Sequence, residues 1–339
     1  MTSVKEFRVE RPATEAELGA GAFVFTDDYS VFDWGTMPDA IPNKGASLCA
    51  MGAANFEALE AAGIPTHYRG VVRGGAVVDL AEAVDPPREM AIDLTRVPEL
   101  PREGRDYDYG AYHEAAGENY LIPLEIVFRN TVPVGSSLRS RADPGAFGLD
   151  YDGWPAEPVE LPEAVIEFST KYEESDRYLS RENAAYIAGE AEIDALESIA
   201  RAVNDIVTRR AAAAGLTHED GKIECLYHDG EIRVADVVGT FDENRFSYDG
   251  RQLSKEVLRQ YHKRTQPGWV EAVSEAKARA EREGVADWRG LCSVAPEPLE
   301  ERVIDAARDM YAAGADAYLD RELFGAPPLE EAVEAIEGL

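Results

Sequence analysis

Lysine is scarce in this chain. Among 339 residues there are only seven (Lys5, Lys44, Lys171, Lys222, Lys255, Lys263 and Lys277), against 27 arginines and 65 acidic residues. The formal net charge is -31, and the acids are spread along the whole length rather than gathered in a tail. Dispersed acid with few lysines suits a protein that works in concentrated salt, where screening acts within roughly 3 Å at about 1 M. In dilute buffer the self-repulsion destabilises such a chain. The same charge argues against nucleic acid or an anionic membrane as partner. Cysteine is also sparse. Cys49, Cys225 and Cys292 are widely spaced, and no two have metal-ligand spacing, so reduced thiols in a cytoplasmic protein are expected. No apolar run reaches membrane length, and Met1 to Phe7 lacks the apolar core of an export signal.

Several site signatures are missing as well. The five histidines form no metal spacing, and neither a Gly-x-Ser-x-Gly elbow nor a Walker lysine loop is present. Gly19-Ala20-Gly21 is too short for a dinucleotide fingerprint and reads as a turn.

The remaining pattern is that of an α+β protein, with strands and helices alternating irregularly. Phe23-Val24-Phe25, Tyr68–Val72, Met90–Leu94 and Leu121–Phe128 read as strands. Gly45–Ala62 carries apolar residues at helical spacing and stops at Gly63-Ile64-Pro65. Ile193–Ala214 is the clearest amphipathic helix, and further helices are predicted at Ser254–Thr265, Gly268–Glu283 and Leu299–Leu319. Residues 98–119 are rich in Gly, Asp, Glu and Tyr without periodicity and read as an exposed insertion.

The stretch 221–236 is the most informative. Two short apolar strands meet at an Asp-Gly turn, yet Lys222, Glu224 and Asp236 interrupt them with charge. A three-residue loop at His228-Asp229-Gly230 pairs Tyr227 with Glu231 and sets Lys222 across from Asp236. All three charges then share one face. A two-residue turn puts Asp236 on the opposite face. One cation beside two carboxylates suits gripping ATP phosphates through magnesium, so Lys222, Glu224 and Asp236 are the candidate catalytic residues.

Two other segments carry local charge. Arg129 ends a buried strand and is followed by Gly135-Ser136-Ser137, a set able to bind phosphate or carboxylate; an ordinary strand end with capping serines is the plainer alternative. Arg245 lies between Phe241 and Phe246 just past Asp236, placed either to reach an anionic substrate or to pair with Asp242 or Glu243.

Taken in order, these segments resemble the phosphoribosylaminoimidazole-succinocarboxamide synthase (SAICAR synthetase) family of purine biosynthesis, in a form like those of salt-loving archaea. Tyr29-Ser30-Val31-Phe32-Asp33 is similar to its Ser-Ala-Phe-Asp loop, and Ile41-Pro42-Asn43-Lys44-Gly45 to its Ile-Pro-x-Lys-Gly segment. Pro123-Leu124-Glu125 through Arg129-Asn130 to Gly135-Ser136 is similar to its Pro-x-Glu…Arg-Asn…Gly-Ser stretch. Ser169-Thr170-Lys171 resembles its Thr-Lys, and the 221–236 hairpin with Arg245 resembles its Lys-x-Glu…Asp…Ser-Arg signature. Three of the seven lysines, Lys44, Lys171 and Lys222, fall on family positions.

The resemblance implies a two-lobed, kinase- or ATP-grasp-like architecture with antiparallel sheets and flanking helices. Its expected parts are an ATP-binding lobe at 1–91, a central domain at 92–285 and a helical extension at 286–339. It implies ligation of L-aspartate to carboxyaminoimidazole ribotide (CAIR), with ATP converted to ADP and phosphate through an acyl phosphate. Glu224 and Asp236 would hold magnesium, and Lys222 would stand nearby as a cation. Met90 would pass the adenine. Arg129, Ser136 or Ser137, and Arg245 would bind the ribotide phosphate and carboxylate, while Asp33, Lys44, Lys171, Asp176 and Asp242 line the cleft. A related carboxylate-amine ligase, a small-molecule kinase and a non-catalytic nucleotide-binding protein are the alternatives. No macromolecular partner is implied beyond a homo-oligomer, which the sequence leaves open.

The chain departs from the family pattern in places. Residues 4–21 offer Lys5, Arg8 and Arg11 but no Gly-Lys-x-Lys phosphate clamp. The His-Asp pair reads Ser175-Asp176, and Asn244 precedes Arg245 where serine is usual.

Overall fold

Two antiparallel sheets divide the chain in this computed structural model, which describes residues 4–173, 176–285 and 287–339. Ser175 lies outside the described residues. The first sheet is built from β1 (Lys5–Arg11), β2 (Gly19–Phe25), β3 (Tyr68–Arg73), β4 (Ala76–Val78) and β5 (Glu89–Leu94), in the order β1-β2-β5-β3-β4. Gly19-Ala20-Gly21 is therefore not a turn. It opens the inner strand β2, where Gly21 pairs with Val9 on one side and Ile92 on the other. With no β-branched residue there, side-chain propensity gives no strand signal.

Helix α1 (Lys44–Ala61) packs against this sheet, and every residue from Lys44 to Phe56 is buried. Its run of Gly, Ala and Ser lets neighbouring elements approach closely all round, which is why the segment shows little amphipathic contrast.

The insertion at 98–119 is only partly exposed. Strands β6 (Arg102–Glu103) and β7 (Asp106–Tyr107) form a small surface hairpin. They lead into α2 (Tyr109–Ala116), where the Asp108 side chain accepts from the Ala111 amide at 2.8 Å. Tyr109, Tyr112 and Ala116 are buried, a face of three residues too short to register as periodicity. The Tyr112 hydroxyl donates to the Leu121 carbonyl at 2.7 Å and ties the helix to the second sheet.

The second sheet comprises β8 (Asn119–Leu121), β9 (Leu124–Val132), β10 (Val159–Thr170), β11 (Thr217–His228), β12 (Glu231–Ala235), β13 (Asn244–Tyr248) and β14 (Arg251–Gln252). Between β9 and β11 lie α3 (Leu138–Arg141), α4 (Arg181–Ala188) and α5 (Ile193–Ala213). Leu196, Ala200, Val203 and Val207 form the buried stripe of α5, which packs on β9 and β11. After the sheet come α6 (Glu256–Thr265), α7 (Pro267–Glu283), α8 (Glu301–Leu319) and α9 (Leu329–Glu337). Helix α8 packs back on α1, so the last helices brace the first sheet's helix.

The β11–β12 turn differs from the three-residue loop expected. His228 pairs with Glu231 and Tyr227 with Ile232, leaving Asp229-Gly230 as a two-residue loop. Both loop residues have positive φ, 48° and 82°, the requirement of a type I′ turn. That turn matches the right-handed twist of the flanking strands and needs no bulge.

Candidate active site between the two sheets

Strand β11 carries the site. Period-two alternation puts Asp220, Lys222, Glu224 and Leu226 on one face. Asp220 and Lys222 line a polar cleft of about 480 Å³, and Glu224 and Leu226 line a second cavity of about 450 Å³. Gly221 sits where the chain crosses between neighbours, and a Cβ there would fall 1.9 Å from the Asn244 side-chain nitrogen.

The second cavity lies between the sheets. Phe7, Phe23, Ile92 and Leu94 come from the first sheet, and Leu121, Leu226 and Ala235 form the opposite apolar wall. Lys171, Glu224 and Asp236 form its charged end. An apolar slot closing on charge fits a nucleotide, with base in the slot and phosphates at the charged end.

By alternation, the two-residue turn should point Asp236 away from Glu224. The ladder stops at Ala235, however, and Asp236 adopts the left-handed conformation with φ 60°. The break returns its carboxylate to the cavity wall beside Glu224. The expected pairing was wrong in register, yet the two carboxylates still converge. Lys222 does not complete that trio: it turns to Glu125 at 2.5 Å and Glu243 at 3.6 Å in the polar cleft. The cations facing the carboxylates are Lys171, bonded to Glu224, and Lys5, bonded to Asp236.

Electrostatics follow from burial and pairing. Burial and the neighbouring Asp236 charge push Glu224 up to about 7, against the pull of Lys171 and Lys222. Burial would raise Asp236 too, but Lys5 and Lys171 outweigh it and hold it down to about 2. Burial opposes the charge on Lys222, and Glu243, Glu125 and Glu224 together raise it well above the usual lysine value. Buried His67 is pressed down to about 4, and its Nε2 hydrogen-bonds the Asp236 carbonyl at 3.1 Å.

The polar cleft brings together most of the other expected residues. Arg129, Ser136, Ser137, Asp33, Asp176, Asp242 and Arg245 all line it. Arg129 is buried and bonds Glu167 at 2.8 Å, Asp220 at 3.2 Å and the Tyr178 hydroxyl at 2.9 Å. Arg245 grips Asp220 through both its Nε, at 2.8 Å, and a terminal nitrogen. It does not pair with Asp242 or Glu243. Asp33 lies at the rim and pairs with Lys277.

Three expected residues sit elsewhere, the first of them Lys171, which lines the cavity between the sheets rather than the polar cleft. Met90 is fully buried in the core, pairing with Phe23 and Val71 across the sheet. The same strand reaches the cavity two residues later, at Ile92, and continues along it through Asp93, Leu94 and Thr95. Lys44 is fully buried behind the cleft and reaches it only through Asp242, at 2.7 Å.

Residues that sequence reading passed over also line the cleft, among them Lys255 and Arg259 at the start of α6. Arg259 pairs with Glu256. Their i,i+4 spacing on a helix entering just after Arg245 was the available signal.

A family model for SAICAR synthetase matches residues 14–276. The chain belongs to the SAICAR synthetase family. A relative from Archaeoglobus fulgidus is 40% identical over 99% of each chain. Among solved structures, the Saccharomyces cerevisiae SAICAR synthase complexed with SAICAR has a TM-score of 0.64 at 20% identity, covering 95% of this chain and 94% of that one. A SAICAR synthetase in complex with ADP has a TM-score of 0.54 at 24% identity, covering 88% and 99%. Both share the α+β two-lobed fold, and members of the family are ligases. Lys5 lies before the matched span and α8 after it. In this SAICAR synthetase family member, Lys5 on the outer strand β1 brings an N-terminal cation to Asp236 at the charged end of the cavity.

Among the described residues, no group of three or more His, Cys, Asp or Glu side chains is placed to hold a metal ion. Among the described residues, Glu224 and Asp236 are the carboxylates that close on each other at the charged end, with Asp93 farther along the same cavity. That suits magnesium, which is commonly held by one or two carboxylates together with substrate phosphates. Glu224 and Asp236 fit such an ion: they crowd each other's charge and are each matched by a lysine.

Proposed function

We propose that this chain joins L-aspartate to the carboxylate of CAIR at the expense of ATP, giving SAICAR, ADP and phosphate. One observation carries the reading. A single face of β11 runs from the polar cleft through Asp220 and Lys222 to Glu224 and Leu226 in the apolar cavity. Two anionic substrates in the adjoining cavities would meet end to end over Lys222 and Glu224, as phosphoryl transfer from one to the other requires.

The residues divide the work. Phe7, Phe23 and Ile92 enclose the base, with the backbone of Asp93–Thr95 passing its edge. Glu224 and Asp236 would hold a magnesium ion, which supplies charge neutralisation at the ATP phosphates. Lys5 and Lys171, released from these carboxylates, turn to the phosphates and take the place of the missing clamp. Arg129, Arg245, Ser136 and Ser137 hold the ribotide phosphate, where guanidinium forks and hydroxyls give directed hydrogen bonds. Lys222 steadies the ribotide carboxylate as it becomes an acyl phosphate, the step that makes it reactive to an amine. Lys255 and Arg259 receive the carboxylates of the incoming L-aspartate, and Asp33, Asp176 and Asp242 face its ammonium group. Catalysis is then alignment of anions among fixed opposite charges.

The dispersed acid suits work in concentrated salt, and the free thiols Cys49, Cys225 and Cys292 suit a reducing cytoplasm. Among the described residues no helix is long and apolar enough to cross a membrane. The test is ADP release with each substrate omitted in turn. Release with an acceptor other than L-aspartate would replace this reading with a related ligase or kinase.

A further inference from the structure

The carboxylate of Asp242 is held from two directions. Lys44 of α1 donates to its Oδ2 at 2.7 Å, and the Tyr311 hydroxyl of α8 donates to its Oδ1 at 2.8 Å. The Lys44 ammonium also lies over the Tyr311 ring, 5.5 Å from its centroid. Tyr311 is fully buried, with its ring packed edge-on against Phe241. Asp242 nevertheless lines the polar cleft, and each carboxylate oxygen has a second lone pair to offer a ligand.

We infer that Tyr311 is a positioning residue for the reaction: helix α8 completes the active site by fixing the orientation of Asp242. This rests on the ligase reading only because turnover is the readout. Helical spacing alone makes Tyr311 one of the buried stripe Val303, Ala307, Met310, Gly314 and Tyr318. A hydroxyl on that stripe needs a partner when buried, and here the partner is a charged group of the cleft. The groups facing Asp242 are the cations Lys44 and Lys255 and the neutral Tyr311 hydroxyl, with Glu243 next in sequence. Burial opposes its charge, and these partners outweigh burial to keep it ionised.

Tyr311→Phe removes one oxygen and keeps the ring. Tyr318→Phe is the matched control, since that buried hydroxyl donates at 2.8 Å to Asn55 rather than to Asp242. Both variants are assayed with CAIR, L-aspartate, ATP and magnesium, varying L-aspartate and ATP in turn, and their melting temperatures recorded. Tyr311→Phe is expected to raise KM for L-aspartate about tenfold with KM for ATP little changed, the size of one lost hydrogen bond to a charge. Tyr318→Phe should leave both constants in place. An unchanged KM for L-aspartate in Tyr311→Phe, or an equal rise in KM for ATP, overturns the inference, as does failure of that variant to fold where Tyr318→Phe folds. An inactive wild type would instead refute the ligase reading.

Discussion

The two cavities that share β11 solve opposite problems. The one between the sheets is walled by Phe7, Phe23, Ile92 and Leu226, with Lys171, Glu224 and Asp236 gathered at one end. The other is polar almost throughout, with Arg129, Lys222, Arg245, Lys255 and Arg259 set among acids. In the first, apolar surface supplies binding and a few charges set direction. In the second, recognition is ionic, and four of these five cations are already matched: Arg129 and Arg245 by Asp220, Lys222 by Glu125 and Arg259 by Glu256. Ligands there exchange partners rather than fill vacancies. That keeps the empty site folded despite its charge density, because an unmatched buried charge is costly.

The comparison can be broken first at the charged end of the apolar cavity. Asp236→Asn removes one charge with little change of shape and should lower kcat on the order of a thousandfold, the scale of losing metal-held charge stabilisation. Its melting temperature should fall, because Lys5 and Lys171 hold the buried Asp236 carboxylate ionised and the amide gives up that pairing. Activity within a few-fold of wild type would remove Asp236 from the phosphate-binding end.

The polar cleft should respond differently. Arg245→Lys keeps the charge but loses the planar fork, and should raise KM for the ribotide by about ten- to a hundredfold with KM for ATP little changed. Equal changes in both constants would show that the cavities do not divide the substrates in this way.

Acid should weaken the frame around both. Burial depresses His67, His218 and His262 to about 4 each, so their neutral forms are the folded ones. Their contribution is present above the unfolded value near pH 6.5 and is lost as pH falls towards 4. It amounts to about 3 kcal/mol apiece at full loss. A melting temperature that stays level between pH 6.5 and 4 in molar salt would contradict this.

The smallest effect expected is that of salt on the frame. Melting temperature should rise with KCl as screening relieves the repulsion of a chain with net charge -31. A flat profile from dilute buffer to molar KCl would count against adaptation to concentrated salt.

Much of this arrangement is legible in the sequence because it is local. Helix α5 shows its buried stripe, and Arg129, Ser136 and Arg245 announce themselves as charge or hydroxyl beside apolar runs. What escapes is set by backbone detail or by distant partners. One residue in the β11–β12 loop reverses a whole face, and only the left-handed φ of Asp236 restores it. Met90 and Ile92 are neighbours on one face of one strand, yet Ile92 lines the cavity while Met90 is buried in the core. Lys5 meets Asp236 across 231 residues of chain, and Tyr311 meets Asp242 across 69. No spacing rule reaches that far.

The central claim is that the two cavities hold ATP and the ribotide end to end for an amine acceptor. It is tested most directly by ADP release in molar KCl with magnesium, omitting CAIR and L-aspartate in turn. The account predicts sustained release only when both are present, with SAICAR formed in equal amount. Sustained release without L-aspartate, or tight ATP binding with no turnover in the complete mixture, would contradict it.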